Sequence, residues 1–356
     1  MKKIALLTIH NTVNYGSALQ TFALYKSIEE LGYDIELLDY RCQEIENKEF
    51  LKISIKDIRS IYRYLKYGRG MKKKKASFQS FVDSYARKSE KYDITNVTNA
   101  NEKYDVFVTG SDIVWGLNVT GGDYTYFLDF VSDDKKKIAF ASSAGIQWNE
   151  EQRKKVKTLL RRYDYIAVRE SIVAGWISDL IGIEPPVVGD PTMLWTKEKW
   201  DTYVEEKNIP KGKYILVYFM DPNNKVARDA LTMGKKLGIP VYYINFARKI
   251  AELTSIRPQS VGEFLGLIKN AEYVFTASFH ALLFSLYFHR EVFFYNRANF
   301  SRMESLSQWL NLQDHNGMTI DEFDNVPKID YQFVDAKIEE KREESINLLI
   351  KFLGEK

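Results

Sequence analysis

The sequence predicts an α/β protein built from two Rossmann-like domains, and three observations support this prediction. Short segments rich in Ile, Val, Phe and Ala alternate with segments of helix length, which is typical of a parallel sheet. This alternation runs through the first half of the chain, stops, and begins again. A chain of 356 residues with 45% hydrophobic content is also long enough to form two hydrophobic cores. We expect the two domains to face one another across a cleft.

The predicted strands of the N-terminal domain are short and apolar, and helix-length segments separate most of them. Parallel pairing would bring their carboxyl ends to one edge of the sheet, where open α/β sheets bind their ligands. The strands of this first series are KIALLTI (3–9), IELLDY (35–40), DVFVTG (105–110), KIAFASSAG (137–145), YIAVRE (165–170) and PVVGD (186–190).

A junction from Asp190 to Lys211 separates the two series, so we place the domains at 1–195 and 196–356. We expect the terminal helix, from Ile338 to Leu353, to pack back over the junction. The second series contains helices from Lys225 to Leu237 and from Val261 to Lys269, and the strands KYILVYFM (213–220), PVYYINF (240–246), YVFTA (273–277) and EVFFYN (291–296).

Composition and the amino-terminal sequence bear on whether the protein spans a membrane or carries a signal peptide. No uninterrupted apolar run reaches the roughly 20 residues that a membrane-spanning helix needs. Thr8, His10 and Asn11 interrupt the apolar stretch near the amino terminus, which argues against a signal peptide. We therefore interpret this stretch as the first strand and expect a cytoplasmic protein.

Cysteine and histidine content bears on metals and cofactors. The single cysteine, Cys42, excludes an internal disulfide and a multi-cysteine metal site, and the four histidines show no metal-ligand spacing. We expect no cofactor and no dedicated metal centre, although loosely held Mg²⁺ stays open because it needs few protein ligands.

Positive charge is concentrated in residues 51–91, which contain 13 Lys and Arg against 3 Asp and Glu, whereas the whole chain has a net charge of +3. Apolar residues recur there at helical spacing, so we expect a helical excursion at about 50–95, with two amphipathic helices flanking Gly68 to Lys75. This segment could be a solvated surface, a site for anionic lipid headgroups at the inner face of a membrane, or a platform for an anionic acceptor. We do not expect nucleic acid, because no base-stacking module accompanies the charge.

The turn after the first strand carries Asn14, Tyr15, Gly16 and Ser17 and leads into a helix. It lacks the G-x-G-x-x-G pattern of a dinucleotide site. One glycine, two polar side chains and the amides of a helix start could still hold a phosphate or a sugar hydroxyl. An ordinary capped helix start explains the same residues, so both interpretations stay open.

The turn after the third strand contains Gly110, Ser111, Asp112 and Trp115. The glycine permits a sharp turn, Asp112 can accept a hydrogen bond from a hydroxyl, and Trp115 offers a flat face of the kind on which sugars pack. A loop-capping aspartate and a core tryptophan are the alternative interpretation.

The strand YVFTA runs directly into Ser278 and His280. A histidine at the carboxyl end of a parallel strand lies where such sheets place their chemistry. Imidazole titrates near neutral pH, so it can donate or accept a proton there. His280 is therefore the first residue to explain, and a buried histidine satisfied by a backbone carbonyl is the alternative interpretation.

Taken in order, seven segments resemble the polysaccharide pyruvyl transferase family, over about residues 4 to 310. The chain departs from the family pattern at Ala277, where Asp or Asn is frequent, and at Ile113, where Gln is frequent. The segments are NYGSALQTFAL (14–24), LGYDIELLDYR (31–41), GSDIVW (110–115), AFASSAG (139–145), IAVRE (166–170), GDPTMLW (189–195) and TASFHALLFS (276–285).

The resemblance implies a GT-B-like enzyme that moves the carboxyvinyl group of phosphoenolpyruvate onto a sugar as a cyclic pyruvate ketal. That donor carries a carboxylate and a phosphate, so its site needs cationic or helix-terminal donors. Protonation of the methylene carbon, attack by two hydroxyls and loss of phosphate require an acid and a base. The acceptor would belong to a surface polysaccharide or its lipid-linked precursor.

The resemblance also suggests roles for individual residues. Arg169 would be the cationic clamp, although an ion pair with Glu170 or another acid is the alternative. His280 would donate the proton or bind phosphate, Ser278 would donate to the phosphate, and Asp112 would be the base. Glu170 is a candidate substrate-binding residue.

Two other functions remain open from the sequence. A two-domain Rossmann cleft serves a nucleotide-sugar glycosyltransferase equally well, although the region from Val261 to Phe300 lacks the paired glutamates, eight positions apart, that many such enzymes use. A non-catalytic sugar-binding protein of the same fold is the third hypothesis, which Ala277 favours. The sequence does not indicate an oligomeric state.

Overall fold

Two parallel sheets, each accompanied by helices, form the core of the protein. The computed structural model describes residues 2–49, 58–219, 225–246, 250, 252–296, 301–320 and 323–355. The chain divides into two units: unit 1 comprises Met1–Tyr64, Phe78–Trp195 and Glu340–Lys356, and unit 2 comprises Leu65–Ser77 and Thr196–Glu339.

The sheet of unit 1 has six strands, which pair throughout in parallel in the order β3-β2-β1-β4-β5-β6. Its inner strands are mostly buried, with partly exposed residues only towards their amino ends, as is typical of parallel strands covered on both faces. The strands are β1 (Lys3–Leu7), β2 (Asp34–Tyr40), β3 (Lys88–Tyr92), β4 (Val106–Thr109), β5 (Lys136–Ser142) and β6 (Tyr165–Val168).

The sheet of unit 2 has five strands in the order β11-β10-β7-β8-β9, again all parallel. Buried aliphatic and aromatic side chains, among them Val217, Phe275 and Tyr295, form a hydrophobic cluster beside it. The strands are β7 (Ile215–Tyr218), β8 (Val241–Ile244), β9 (Thr254–Ile256), β10 (Tyr273–Thr276) and β11 (Glu291–Phe294).

Helices alternate with these strands along the chain, as the sequence predicts. Among the described residues they are α1 (Tyr15–Glu30), α2 (Gln43–Glu49), α3 (Ile58–Tyr85), α4 (Leu117–Thr120), α5 (Glu150–Leu160), α6 (Ser171–Ile181), α7 (Lys197–Asp201), α8 (Lys225–Leu237), α9 (Val261–Lys269), α10 (Phe279–Tyr287), α11 (Ser301–Trp309) and α12 (Tyr331–Leu353). Short 3₁₀ helices cover Val97–Glu102, Thr125–Phe127, Pro191–Leu194, Gln313–His315 and Phe323–Asn325.

The strand order of each sheet reverses beside its first strand. In unit 1, the chain moves outward from β1 through β2 and β3 and then returns to the other side at β4; in unit 2, β7 and β10 have the same relation. A crevice forms at such a reversal, beyond the carboxyl ends of the two strands, and it is where open α/β sheets bind ligands. Each unit therefore has one expected ligand-binding edge.

The α/β prediction is confirmed, but four elements differ from expectation. The basic segment forms one helix, α3, across Gly68 and Gly70 instead of two, since a glycine weakens a helix without breaking it as proline does. Residues 51–57 lie outside the described residues. The polar strand β3 and the three-residue β9 lie at sheet edges and carry no apolar pattern, so neither was predicted. PVVGD makes only one isolated bridge, between Val168 and Val187.

The end of the chain belongs to unit 1, which corrects the assignment of all residues after 195 to the C-terminal domain. Ser345 Oγ accepts a hydrogen bond from Gly189 N at 3.0 Å, and the ring of Phe352 stacks on Tyr165 at 4.7 Å. Lys136 Nζ donates to the carbonyl of Leu353 at 3.1 Å. Ring stacking and hydrogen bonds between side chains and backbone groups thus hold the last turns of α12 on this unit.

We expect Phe352→Ala to destabilise the protein by about 3 kcal/mol, because the change removes a buried aromatic ring and leaves a cavity. Ile350, on the same helix and 41% exposed, provides a matched control, and Ile350→Ala should change stability by less than about 1 kcal/mol. Urea unfolding followed by circular dichroism measures both. Equal losses for the two variants would show that the terminal segment is not docked as described.

Candidate active site

The turn between β1 and α1 is built around a helix cap. Asn14 Oδ1 accepts hydrogen bonds from the backbone N–H groups of Gly16, at 2.9 Å, and Ser17, at 3.4 Å. Tyr15 is fully buried and its ring packs against Phe78 at 4.9 Å. The cap therefore accounts for Asn14 and Gly16, and the side chain of Tyr15 belongs to the core.

The loop after β4 is fastened to the end of β5. A Cβ atom on Gly110 would lie 2.0 Å from the carbonyl oxygen of Phe140, and Gly110 has a φ of +148°, so only glycine fits this close approach. Ser143 N donates to the carbonyl of Asp112 at 3.1 Å. Ser111 is fully buried, and its Oγ makes no hydrogen bond to any residue in the described ranges. Gly110 and Ser111 thus shape the loop without exposing a side chain to substrate.

This loop brings two predicted site residues together at the strand reversal of unit 1. Ser17 Oγ, from the β1–α1 turn, donates a hydrogen bond to Asp112 Oδ2 at 2.5 Å. Asp112 has a φ of +66° and is partly exposed. The hydroxyl and the carboxylate are 95 positions apart in sequence, and the parallel pairing of β1 with β4 is what places them side by side.

The prediction of Trp115 as a platform for a sugar is wrong. The side chain is fully buried in the core of unit 1, and its indole ring stacks on Phe127 with a centroid distance of 5.5 Å. With both partners inside the apolar cluster, the indole has no face available to a ligand. Trp115 is instead part of the core beside the loop after β4, which agrees with the alternative interpretation of this residue as a core tryptophan.

Arg169 follows β6 and lies between two carboxylates. Its Nε donates to Glu170 Oε1 at 3.0 Å and its Nη1 donates to Asp190 Oδ2 at 2.8 Å, and only 3% of the side chain is exposed. Burial lowers the pKa of Arg169, but the charges of Glu170, Asp190 and Asp112 outweigh it and hold that pKa above its ordinary range. The ion-pair interpretation therefore describes Nε and Nη1 of this residue.

Asp190 is fully enclosed at the start of a 3₁₀ turn. Its Oδ1 accepts hydrogen bonds from Thr192 N at 3.0 Å and Thr192 Oγ1 at 2.8 Å, while its Oδ2 accepts from Arg169. None of its side chain is exposed. The sequence does not reveal this pairing, because Arg169 lies 21 residues upstream of Asp190 and only folding brings the two side chains together.

In unit 2, Ser278 and His280 lie in the first turn after β10. Ser278 is the N-cap of α10, and its Oγ accepts a hydrogen bond from Ala281 N at 3.4 Å. His280 is 8% exposed, and its ring meets Phe279 edge-on. The amino end of α10 adds backbone donors and a partial positive charge at the strand reversal of this unit, a favourable environment for an anion.

A buried polar group at the ends of β1 and β2 was not predicted as a site. His10 Nε2 lies 3.0 Å from Asp39 Oδ1, and Arg41 Nη2 lies 2.7 Å from the same oxygen. Burial alone would raise the pKa of Asp39, but the hydrogen bonds from His10 and Arg41 outweigh it and hold that pKa well below its usual range. The segment IELLDYR carried the signal, since Asp39 lies next to the last residue of β2 and Arg41 directly follows the strand.

Two negative observations apply to the described residues. No group of three or more His, Cys, Asp or Glu side chains there is arranged to hold a metal ion. None of the helices described above is both long enough and apolar enough to cross a bilayer.

Comparison with known proteins identifies the family. Residues 14–299 match the family model of polysaccharide pyruvyl transferases, which is well over half of the chain and includes every site residue that the sequence predicted. The protein is therefore a member of the polysaccharide pyruvyl transferase family. A comparison with functionally curated proteins gave no match.

Solved structures with a similar fold are distant in sequence. The S. aureus MnaA-UDP co-structure aligns with a TM-score of 0.56 at 13% identity, covering 99% of this chain and 97% of that one. UDP-GlcNAc 2-epimerase from Neisseria meningitidis, bound to UDP-GlcNAc, aligns with a TM-score of 0.53 at 11% identity over 99% of both chains. The Methanocaldococcus jannaschii UDP-GlcNAc 2-epimerase gives 0.50 at 13% identity, covering 98% of this chain and 99% of that one. At these identities the similarity concerns the fold, a GT-B-like pair of Rossmann-like domains.

The depressed pKa of Asp39 predicts an acid-dependent loss of stability. Because the pKa is lower in the folded than in the unfolded chain, the contribution is complete above the unfolded value of about 4 and is lost as the pH falls below it. Asp39→Asn should lower the free energy of unfolding at pH 7 and flatten its decline below about pH 4. Urea unfolding across this range tests the expectation, with Asp179→Asn at an exposed position as control. An unchanged slope for Asp39→Asn would contradict it.

Proposed function

We propose that the protein transfers the carboxyvinyl group of phosphoenolpyruvate to two hydroxyls of one sugar, forming a cyclic pyruvate ketal and releasing phosphate. The observation that carries this proposal is the family match over residues 14–299. The acceptor is a sugar of a surface polysaccharide or of its lipid-linked precursor. No cofactor takes part, because the donor itself supplies the leaving group.

The reaction balances without an oxidant or reductant. Protonation converts the methylene carbon of the donor into a methyl group and makes C2 electrophilic. One hydroxyl oxygen forms a bond to C2; the second forms another as the bond from C2 to the phosphate oxygen breaks. One of the two hydroxyl protons restores the acid that protonated the methylene carbon, and the other leaves with phosphate. An acid near the donor and a base near the acceptor are therefore the minimum requirements.

The residues at the two strand reversals suit different parts of this reaction. The donor is an anion, and the amino end of α10 with Ser278 and His280 is the more favourable place for its phosphate. His280 then gives the proton to the methylene carbon. In unit 1, Asp112 can take a proton from an acceptor hydroxyl, while Ser17 Oγ donates a hydrogen bond to Asp112 Oδ2. Glu170 accepts a hydrogen bond from another hydroxyl of the sugar.

We expect His280→Ala and Asp112→Asn each to lower the rate of phosphate release at least 100-fold, because each change removes a proton-transfer group. The assay combines the protein with phosphoenolpyruvate and methyl hexopyranosides that carry adjacent free hydroxyls. His289→Ala, at a more exposed position of unit 2, is the control and should retain near-wild-type rates. Near-wild-type rates for His280→Ala or Asp112→Asn would remove that residue from the mechanism.

The same assay separates this function from its rivals. UDP-GlcNAc, the ligand named for one of the similar structures, replaces phosphoenolpyruvate as donor in a parallel reaction. Glycosyl transfer from UDP-GlcNAc without phosphate release from phosphoenolpyruvate would support a glycosyltransferase instead. Binding of the pyranosides without turnover of either donor would support a non-catalytic sugar-binding protein.

We further propose that the basic helix α3 brings the protein to an anionic membrane surface, where a lipid-linked acceptor would be found. Lys72 and Lys73 on this helix are exposed. Lys and Arg near an anionic surface each contribute about 1 kcal/mol to binding. Charge alone supports this proposal.

Binding to phosphatidylglycerol vesicles at low salt tests the membrane proposal. The double variant Lys72→Gln, Lys73→Gln should bind about tenfold or more weakly than wild type, from about 1 kcal/mol per lysine. Lys235→Gln with Lys236→Gln removes two exposed lysines elsewhere and should leave binding unchanged. Equal binding by both double variants would contradict a role for α3.

A further inference from the structure

We infer that Arg257 and Lys74 bind a phosphate group that is linked to the acceptor sugar. Both residues belong to unit 2, and they meet beside the segment that leaves β8 at its carboxyl end. This inference rests on the proposed function and selects among its acceptors. It favours a sugar that is still joined to a phosphate-bearing carrier over a polysaccharide without phosphate.

Arg257 directly follows β9, and its guanidinium is anchored on one side. Its Nε donates a hydrogen bond to the carbonyl of Asn245, the residue after β8, at 3.2 Å. In the described part of the chain this is the only hydrogen bond of the guanidinium, and Arg257 is exposed. The anchor leaves both terminal nitrogens to act as a fork, the geometry that matches two oxygens of a phosphate.

Lys74 is a second cation at the same place, although it comes from the basic helix α3. Its Nζ lies 4.3 Å from the centroid of the Phe246 ring, a cation–π contact with the residue that follows Asn245. Lys74 is partly buried, whereas Lys72 and Lys73 are exposed. The membrane proposal therefore concerns other lysines of this helix than the one that contacts Phe246.

Hydrogen bonds fasten this part of α3 to the loop that carries Arg257. Ser77, three residues after Lys74, donates from its Oγ to the carbonyl of Gln259. Gln259 Nε2 in turn donates to the carbonyl of Arg257 at 2.7 Å. Residues three apart lie on one side of a helix, so the contact of Ser77 fixes the side that carries Lys74. The fold of unit 2 itself thus brings the two cations to one place.

The acidic residues nearest to Arg257 in sequence are engaged by other groups. Glu252 pairs with Lys235 at 3.2 Å, and Glu263 accepts a hydrogen bond from Gln259 N at 2.7 Å. Within the described ranges no carboxylate forms an ion pair with Arg257. A guanidinium without a carboxylate partner, close to an ammonium of the same sign, favours the binding of an anion.

The position along the sheet favours the acceptor over the donor as the source of this anion. In the strand order of unit 2, β8 lies two places from β10, which leads into Ser278 and His280. Neighbouring strands are about 4.8 Å apart, so about 10 Å separate the ends of β10 and β8. A three-carbon donor with its phosphate at the start of α10 does not extend that far. A sugar joined to a phosphate or diphosphate is a longer molecule, and its phosphate is the one that suits Arg257.

Binding of two matched sugars tests the subsite without any donor. Isothermal titration compares glucose 1-phosphate with methyl glucopyranoside, which lacks the phosphate. We expect Arg257→Gln to weaken binding of glucose 1-phosphate about tenfold or more, because it removes charged hydrogen bonds. Lys74→Gln should weaken it about fivefold, as expected for one nearby charge. Neither variant should change the affinity for methyl glucopyranoside. Arg257→Lys keeps the charge but not the fork, so its affinity should lie between those of wild type and Arg257→Gln.

Two control variants separate a local contact from an effect of net charge. Arg161→Gln and Lys207→Gln remove exposed cations elsewhere and should leave both affinities unchanged, with melting temperatures recorded for every variant. The inference fails if the wild-type protein binds glucose 1-phosphate no more tightly than methyl glucopyranoside. It also fails if folded Arg257→Gln binds the phosphate sugar as wild type does, or if the controls lose as much affinity.

Titration with phosphoenolpyruvate shows whether the donor occupies the subsite instead. Arg257→Gln should bind phosphoenolpyruvate with an affinity close to that of wild type, because the donor phosphate lies at α10. Binding weakened about tenfold or more, which corresponds to about 1.4 kcal/mol, would place the donor at Arg257 and overturn the inference.

Turnover then identifies the carrier and separates the inference from the proposed function. UDP-glucose and glucosyl farnesyl diphosphate both present a sugar-linked diphosphate, and the higher kcat/KM at saturating phosphoenolpyruvate shows whether the carrier is a nucleotide or a polyprenol. Arg257→Gln should lower the higher value about tenfold or more. Phosphate release that Arg257→Gln leaves unchanged with both acceptors would refute the inference and leave the proposed function intact. Binding of glucose 1-phosphate through Arg257, without phosphate release from phosphoenolpyruvate for any acceptor, would refute the proposed function and leave the subsite.

Discussion

The buried charge group around Arg169 is the constraint on which the candidate site depends. A guanidinium with 3% of its surface exposed is stable only with opposite charges at hydrogen-bonding distance, and Glu170 and Asp190 supply them. Removing one partner would leave an uncompensated charge in the interior, so the three residues act together. They tie the end of β6 to the turn at Asp190, close to where Asp112 leaves β4.

Parallel pairing explains why this group forms where it does. Every strand of a parallel sheet ends at the same edge, so polar residues that follow β1, β4 and β6 meet there although the sequence separates them widely. The hydrogen bond between Ser17 and Asp112 lies at the reversal of strand order in unit 1. Ser278 and His280 hold the corresponding place in unit 2, so the strand reversals of the two Rossmann-like folds carry different side chains: the Asp112 carboxylate in one and the His280 imidazole in the other.

The sequence was sufficient to predict the strands that are apolar and buried. It was insufficient for features that depend on contacts between residues far apart in the chain. β1, β4 and β10 were predicted because each is a short hydrophobic run, whereas β3, with the sequence KSEKY, shows no such pattern and pairs only along one edge. The segments that carry the family resemblance marked the right turns. They could not reveal that Trp115 points into the core or that Asp190 holds Arg169, because both facts depend on side chains brought together by the fold.

The two departures from the family pattern can be understood through packing. Ala277 is 7% exposed and belongs to the hydrophobic cluster of unit 2, where a charged side chain would be costly to bury unless it were paired. Ile113 lies against Gly116 and Gly145, and a Cβ atom on either glycine would approach its side chain within 3 Å. The isoleucine and the two glycines therefore form one packing unit behind Asp112. Both substitutions alter the support beneath the site while Asp112, Ser278 and His280 keep their places at its edges, so they do not by themselves favour a non-catalytic protein.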